Sequence, residues 1–434
     1  MDSKLTRLLV AVSVVVILGV GLVTGVASAQ PVTQWEEAYG GSGDDVAHSV
    51  VKTDDGGHLV VGSTSSYGPG NDDFWVVKIN RRGNEEWSKT FGGTGSDVAY
   101  SAAATNDGYV IAGKTESDME ESDGWVVKID ENGNKIWDRN YGGNESEVIN
   151  SIEKDGDGFV FTGSTTTNTS GLEDLWLVRT EDDGYVDWRS KIDGASTDIG
   201  NSVIVDDTNT NTDGYVVAGK TESKGEGESD AWLVKVNETG HMDWDQTFGY
   251  DESDVANAVV ETQNGYAIAG TRPVRSTGIE DGWLVKVDKG GIQQWNKTFG
   301  GNAVDEFNTL INTGDGFAVA GYTKSKGAGN GDAWLVKTSR TGTKEWEVYA
   351  GGDEFDSARA ISNTNNGFLI AGSTQSRGAG GDDMMAVQLE YPNAPSAEFS
   401  YSPQEVNTGD EISFDATMSS DPDGTIQTYT WTFG

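Results

Sequence analysis

Asp73-Phe-Trp-Val-Val-Lys-Ile79 is the stretch on which the fold turns. Alternation with period two places Trp75, Val77 and Ile79 on one face of a strand and Phe74, Val76 and Lys78 on the other. Both faces are largely apolar, so a sheet built from such strands needs a neighbour on each side. The strand returns at Trp125, Trp176, Trp232, Trp283 and Trp334, with Met385 at the same place in a seventh copy. Upstream of each copy runs a strand ending in glycine, at Gly62, Gly113, Gly163, Gly219, Gly270, Gly321 and Gly372. A second tryptophan recurs before a glycine-rich turn, at Trp35, Trp87, Trp137, Trp188, Trp244, Trp295 and Trp346, with a period of about 51 residues.

One copy reads as four strands, over residues 46–53, 58–64, 73–80 and 85–91, joined by turns such as Asp54-Asp55-Gly56-Gly57 and Arg82-Gly83-Asn84. Asp-Gly and Gly-Asn pairs supply the positive φ of tight hairpins, and the short connections make neighbouring strands antiparallel. The phase of the repeat predicts closure. A Trp-type strand at 34–39 precedes any strand of the first type, and none follows the seventh Met385 strand at 383–389. Pairing the surplus strand with the incomplete last set closes seven four-stranded sheets into a ring without open edges. An open solenoid would need capping repeats at both ends, and the sequence has none. The one long step, from Trp188 to Trp244, lies where residues 206–213 extend a hairpin.

Copies such as Asp107-Gly-Tyr-Val-Ile-Ala-Gly-Lys-Thr115 and Asp123-Gly-Trp-Val-Val-Lys-Ile-Asp-Glu-Asn-Gly133 resemble those of secreted prokaryotic β-propeller repeat proteins. The resemblance implies an all-β, seven-bladed β-propeller over residues 30–391, its N-terminal strand closing the last blade. It says little about function, since such blades serve many roles. Beyond residue 391 the pattern changes. Phe399-Ser-Tyr-Ser-Pro403, Gly409-Asp-Glu-Ile-Ser-Phe-Asp-Ala416, Ser419-Ser-Asp-Pro-Asp-Gly424 and Tyr429-Thr-Trp-Thr-Phe-Gly434 resemble a PKD domain, an extracellular immunoglobulin-like sandwich that serves as spacer or adhesion module. Residues 392–434 then comprise a linker and an incomplete PKD-like β-sandwich, either part of a longer chain or disordered alone.

Residues 1–29 read as a signal peptide: Lys4 and Arg7, an apolar run over 8–26, and Ala27-Ser28-Ala29 before Gln30. Cleavage after Ala29 is expected, with an uncleaved N-terminal anchor as the alternative. Localisation is therefore expected to be secreted or cell surface. The formal charge is −40, from 70 acidic and 30 basic residues. That balance argues against nucleic acid and anionic membrane as partners, and it suggests a halophilic protein whose self-repulsion is screened by salt. Cysteine is absent, which removes disulfides, thiolate metal sites and a cysteine nucleophile.

No G-x-S-x-G elbow, P-loop or G-x-G-x-x-G occurs, and a non-enzymatic role is expected. His48, His58 and His241 fall at unrelated phases and read as surface residues. The regular polar feature is a pair of acids in each copy. One precedes the second tryptophan position: Asp73, Asp123, Asp174, Asp230, Asp281, Asp332 and Asp383. The other opens the first strand: Asp45, Asp97, Glu147, Asp198, Asp254, Asp305 and Asp356. Both border loops on one rim, either as an acidic face for a ligand or for Ca2+, or as acceptors that hold backbone amides at loop ends. No other cofactor is suggested. Asp155-Gly-Asp157-Gly and Asp130-Glu-Asn132-Gly-Asn134 look like faint calcium loops but lie at hairpin turns. Asn144, Asn168, Asn237 and Asn296 open N-x-[Ser/Thr] sequons, candidate glycosylation sites in an exported chain.

The expected role is a monomeric extracellular or cell-surface binding or adhesion protein. It would recognise an extracellular protein or glycan through one propeller rim. The alternatives are the targeting or accessory region of a larger secreted hydrolase and a structural component of the cell envelope.

Overall fold

The computed structural model describes residues 30–117, 121–143, 145–166, 172–192, 194–206, 213–274, 278–393, 396–402, 411, 413–421 and 426. The proposed signal segment, Asn144 and Asn168 lie outside them. Thr33–Leu389 forms one compact unit.

Strand β1 spans Val32–Tyr39. The first full sheet follows with β2 (Asp45–Lys52), β3 (His58–Thr64), β4 (Asp73–Ile79) and β5 (Glu85–Phe91). The second has β6 (Asp97–Ala104), β7 (Gly108–Thr115), β8 (Asp123–Asp130) and β9 (Lys135–Tyr141), the third β10 (Glu147–Asp155), β11 (Gly158–Thr165), β12 (Asp174–Glu181) and β13 (Val186–Ile192). The fourth has β14 (Asp198–Asp206), β15 (Gly214–Thr221), β16 (Asp230–Asn237) and β17 (Met242–Phe248), the fifth β18 (Val255–Thr262), β19 (Gly265–Val274), β20 (Ile279–Val287) and β21 (Gln293–Phe299). The sixth has β22 (Asp305–Asn312), β23 (Gly316–Thr323), β24 (Asp332–Ser339) and β25 (Lys344–Ala350). The last has only β26 (Asp356–Asn363), β27 (Gly367–Thr374) and β28 (Asp383–Glu390) from its own stretch of chain.

β1 supplies the missing strand: the seventh sheet runs β1-β28-β27-β26. Trp35 thus lies on the strand beside that of Met385, as the phase of the repeat predicts. Each first strand packs against the first strands of both neighbouring sheets, β2 against β6 and β26 included, so the seven form a closed inner ring. The protein is a seven-bladed β-propeller.

The two apolar faces of β4 meet different blades. Trp75, Val77 and Ile79 pack with Leu369, Met384 and Ala386 of blade seven. Phe74 and Val76 pack with Ile111, Trp125 and Val127 of blade two. Trp125, Trp176, Trp232, Trp283 and Trp334 repeat the placement and are all buried. Each such indole removes about 150–250 Å² from water and makes the blade interface the main store of burial energy. The outer-strand tryptophans differ from this set. Trp35, Trp87, Trp137, Trp188, Trp244 and Trp295 are half-buried, and only Trp346 is buried. Their partner is the third turn of the next blade. Gly83, at φ 78°, leaves no room for a Cβ because the Trp35 ring lies against it, and Trp35 Nε1 donates to Arg81 O at 3.1 Å. Gly133 lies against Trp87 and Gly240 against Trp188 in the same way.

Lys78, placed by alternation on an apolar face, is buried with its ammonium paired to Asp55 at 2.8 Å and Glu86 at 2.9 Å. Lys128 and Lys337 repeat the arrangement with acids of their own. At the C-terminal end, β29 (Ser400–Ser402) pairs antiparallel with β30 (Ser413–Asp415), bringing Tyr401 opposite Phe414. Ser396 and Ser420 form a further antiparallel bridge.

Candidate binding site

The acids of the repeat stand below one rim, and the structure gives each pair a shape. Those that open the first strand are buried, and their carboxylates hold the loops on either side. Asp45 accepts from the Gly41 amide at 2.8 Å, from Ser66 Oγ at 2.7 Å and from Thr64 Oγ1. Asp97 accepts from Gly93 N and Ser117 Oγ, Asp305 from Gly301 N, Ser325 Oγ and Thr323 Oγ1, and Asp356 from Gly352 N and Ser376 Oγ. Glu147 takes Thr165 Oγ1 and Gly143 N, Asp198 takes Thr221 and Ser223, and Asp254 takes the Tyr250 amide. Their own backbone amides reach across to the previous blade, as Asp97 N does to Asp72 O at 2.8 Å and Asp45 N to Asp382 O at 2.6 Å.

The acids before the second tryptophan are equally enclosed. Asp73 accepts from Gly70 N at 2.9 Å, Asp383 from Ala379 N and Gly380 N, and Asp174 pairs with Lys191 at 3.1 Å. Across each seam the two acids meet. Asp73 of blade one and Asp97 of blade two converge on Gly92, where a Cβ would collide with both. Asp123 and Glu147 converge on Gly142, Asp230 and Asp254 on Gly249, Asp281 and Asp305 on Gly300, and Asp383 and Asp45 on Gly40. Asp332 feels the charge of Asp356 in the same sense. Burial first, then the facing Asp254, raises Asp230 to a pKa of about 6. Burial and Asp305 raise Asp281 to about 6. Several of these oxygens, Asp73 Oδ1 and Asp281 Oδ1 among them, are buried without a hydrogen-bond partner.

The carboxylates therefore come in twos, and among the described residues no group of three or more histidine or acidic side chains gathers as a metal site. Asp130, in one of the faint calcium loops, spends its carboxylate on Asn132 N, Asn134 N and Asn134 Nδ2 of its own turn. Asn237 likewise holds a turn, accepting from Thr239 N and His241 N. Asn296 is half-buried on the outer strand β21.

A ring of side chains, of which sequence reading singled out only His48, lies on the innermost strands. Every first strand has a β-bulge just past its opening acid, marked by register shifts such as Ala47/Ser49, Ile149/Ser151 and Ala358/Ala360. The bulged residues are His48, Tyr100, Asn150, Asn201, Asn257, Asn308 and Arg359. The four asparagines do one job. Asn150 Nδ2 donates to Gly200 O at 2.9 Å, Asn201 to Ala256 O at 3.0 Å, Asn257 to Phe307 O at 2.9 Å and Asn308 to Ala358 O at 2.9 Å. Each amide ties its blade to the next. The following residue adds a second tie where it is serine: Ser49, Ser101, Ser151 and Ser202 accept from the amides of Ala102, Ile152, Val203 and Val259.

The remaining three bulge residues, Arg359, His48 and Tyr100, belong to blades seven, one and two, so they are contiguous on the ring. His48 and Tyr100 meet edge to face, their ring centroids 5.2 Å apart. Of the two histidines of the first blade, His48 is half-buried and His58 is not a surface residue. His58 is 3% exposed at the start of β3, where burial lowers its pKa to about 4. Enclosure by the inner ring, and secondarily the Arg359 charge, bring His48 down to about 3, leaving a neutral imidazole at ordinary pH. The missed signal was columnar: Asn150, Asn201, Asn257 and Asn308 all stand three residues after the first acid of their copy.

The PKD domain family matches residues 392–434. No curated protein matches the chain. Among solved structures the chain is similar to BamB from Moraxella catarrhalis, at 10% identity and a TM-score of 0.41, over 83% of this chain and 100% of that one. It is also similar to a protein of unknown function from Bacteroides caccae, at 11% identity and a TM-score of 0.41, over 68% and 94% of the two chains. A third, Sqt1 from Chaetomium thermophilum, has 14% identity and a TM-score of 0.38, over 63% and 66%. The chain thus comprises a seven-bladed propeller and a stretch that matches the PKD domain family, a composition that fits a binding or accessory role.

Proposed function

We propose that this protein is a non-enzymatic binding or adhesion protein of the cell exterior, which recognises a protein or glycan through the rim carrying the β1–β2 and β3–β4 type of loops. The observation that carries the reading is a division of labour on that rim. Below the loop tips, buried acids and hydroxyls repeat blade after blade and fix the backbone. Above them the tips keep a Gly-x-Gly frame while the side chains on it change, from Tyr67-Gly-Pro-Gly70 to Lys224-Gly-Glu-Gly227 to Lys326-Gly-Ala-Gly329. Rigid loops with variable tips are how scaffolds present recognition residues. Aromatic groups stand among them: Tyr67 is 46% exposed over Trp75, and Arg272 stacks on Tyr250 at 3.8 Å.

The apolar segment and Ala27-Ser28-Ala29 support export, and the PKD match supports a spacer at the other end of the chain. A glycan array and a pull-down from cell-surface extract with the full chain test the reading. A captured partner lost in the Tyr67→Ala and Tyr250→Ala variants is expected. Chemical conversion of the captured ligand would replace binding by catalysis, and capture unaffected by rim substitutions would move the site elsewhere.

A further inference from the structure

The loop between the second and third strands of a blade carries a clamp over the third-strand tryptophan. In blade four Lys224 lies over the Trp232 ring at 5.3 Å and pairs with Asp245, the residue after the outer tryptophan, which also accepts from Trp232 Nε1 at 2.9 Å. In blade six Lys326 pairs with Glu347 at 3.0 Å, and Glu347 accepts from Trp334 Nε1 at 3.3 Å. Blade seven pairs Arg377 with Glu36 at 3.1 Å in the same two positions. Blade one has a loop of the same length, but Tyr67 stands in place of the cation and Ser88 in place of the acid. Trp75 Nε1 consequently donates to no group among the described residues, although the residue is only 3% exposed. Where the clamp is missing lies a cavity of about 590 Å³, walled by Tyr39 and Gly40 at the end of β1 and by Tyr67, Trp75, Ser88 and Thr90 of blade one. That volume falls within the roughly 300–1,000 Å³ of small-ligand sites.

We propose that this cavity binds one neutral pyranose unit of a glycan, an inference that rests on the reading of the rim as a recognition surface and narrows it. A sugar ring offers an apolar C–H face and a girdle of hydroxyls that both donate and accept, and the walls supply partners for each. Tyr67 is 46% exposed, its ring centroid lies 5.5 Å from that of Trp75, and its hydroxyl donates to Gly40 O at 2.8 Å, which holds the phenol across the seam as an aromatic wall. Thr90 pairs in register with Trp75 and Ser88 with Val77, which puts both hydroxyls on the Trp75 face. Neither hydroxyl has a hydrogen bond among the described residues. Glu85, in register with Ile79, adds a carboxylate that accepts from sugar hydroxyls. Lys89 stands on the opposite face with its stem against Gly133 of blade two, so among the described lining residues no cation faces the cavity. A carboxylate without a cation, in a chain of formal charge −40, disfavours acidic sugars and favours neutral ones.

The test is saturation-transfer NMR and calorimetric titration of the full chain with the methyl glycosides of glucose, galactose, mannose and N-acetylglucosamine, and with glucuronate. At least one neutral glycoside is expected to bind at millimolar concentration, and glucuronate is expected not to. Tyr67→Lys combined with Ser88→Asp rebuilds the pair found at both positions in blade four, so it is expected to fold with an unchanged or higher Tm and to weaken the glycoside by about tenfold or more. Thr90→Val removes one hydroxyl at nearly constant shape and is expected to weaken it by a smaller factor. No binding of any of the four, equal binding of glucuronate, or undiminished affinity in the folded variants would overturn the site. A partner captured from cell-surface extract and lost in Tyr250→Ala, with no glycoside bound, would remove the cavity and leave the rim reading in place. Glycoside binding with capture indifferent to Tyr250 would do the reverse.

Discussion

Lys286 shows what a single departure from the repeat costs. Its counterparts Lys78, Lys128 and Lys337 each meet two carboxylates at the rim opposite the acid pairs. In blade five the turn carries Asn264 where blades two and six carry Asp107 and Asp315, and Lys286 Nζ donates to the carbonyls of Val287 and Asn264 instead. Burial then lowers its pKa to about 8, from 10.5. The folded state disfavours the charged form, so its penalty is full below pH 8 and vanishes above the unfolded value. Lys286→Met is expected to raise stability by roughly 1–3 kcal/mol at pH 7 and by nothing near pH 11, read from urea melts at both pH values. The paired acids work in the opposite direction. Asp230 and Asp281, at about 6, take up protons on folding, so their contribution is complete below pH 4 and lost as pH rises through 6. Asp206 and Glu347, held near 2 despite burial by their lysine and other hydrogen-bond partners, lose theirs only at far lower pH. Tm is therefore expected to rise between pH 7 and pH 5, and the rise should shrink in an Asp230→Asn, Asp281→Asn double variant. An unchanged pH slope in that variant would refute the assignment.

At the scale of strands and blades, much was legible because it repeats. The alternation in β4, the glycine turns and the surplus strand β1 were readable since each follows from local chemistry copied seven times. The acids were found by the same column reading, but their meeting across a seam was not, because Asp73 and Asp97 lie on different blades and only the ring brings them together. The asparagine rungs were missed for a related reason: a bulge shifts side-chain direction, and simple alternation does not foresee it. Asn257→Ala should cost about 1 kcal/mol, the scale of one lost hydrogen bond, measured as a lower urea midpoint with unchanged m. Trp35→Ala removes both the cover of Gly83 and the bond to Arg81 O. It is expected to cost about 3 kcal/mol, and more than Trp87→Ala because it also loosens the strand that closes the ring. Equal losses in the two variants would count against that role for β1.

For the whole molecule, net charge sets the conditions under which the ring holds. With 70 acidic and 30 basic residues, repulsion opposes the compact state and falls as the screening length drops from about 10 Å at 0.1 M salt to about 3 Å at 1 M. Tm is expected to rise steadily from dilute buffer to molar potassium chloride, and a flat profile would contradict adaptation to brine. The seams are not equal in this contest. Asparagine or serine rungs tie every blade to its successor except blade seven to blade one, where Arg359 and Ala360 stand at those positions. That seam relies on β1, whose Trp35 Nε1 donates to Arg81 O at 3.1 Å, on Asp382 N to Asp44 Oδ1 at 3.0 Å and on Lys52 Nζ to Asn365 Oδ1 at 3.0 Å. The borrowed strand also sets a timetable for synthesis. β1 leaves the ribosome before any other part of the ring and finds its partner only when β28 emerges about 350 residues later. In the interval it travels with unsatisfied hydrogen-bonding edges, the condition under which nascent chains recruit chaperones or trade strands with one another.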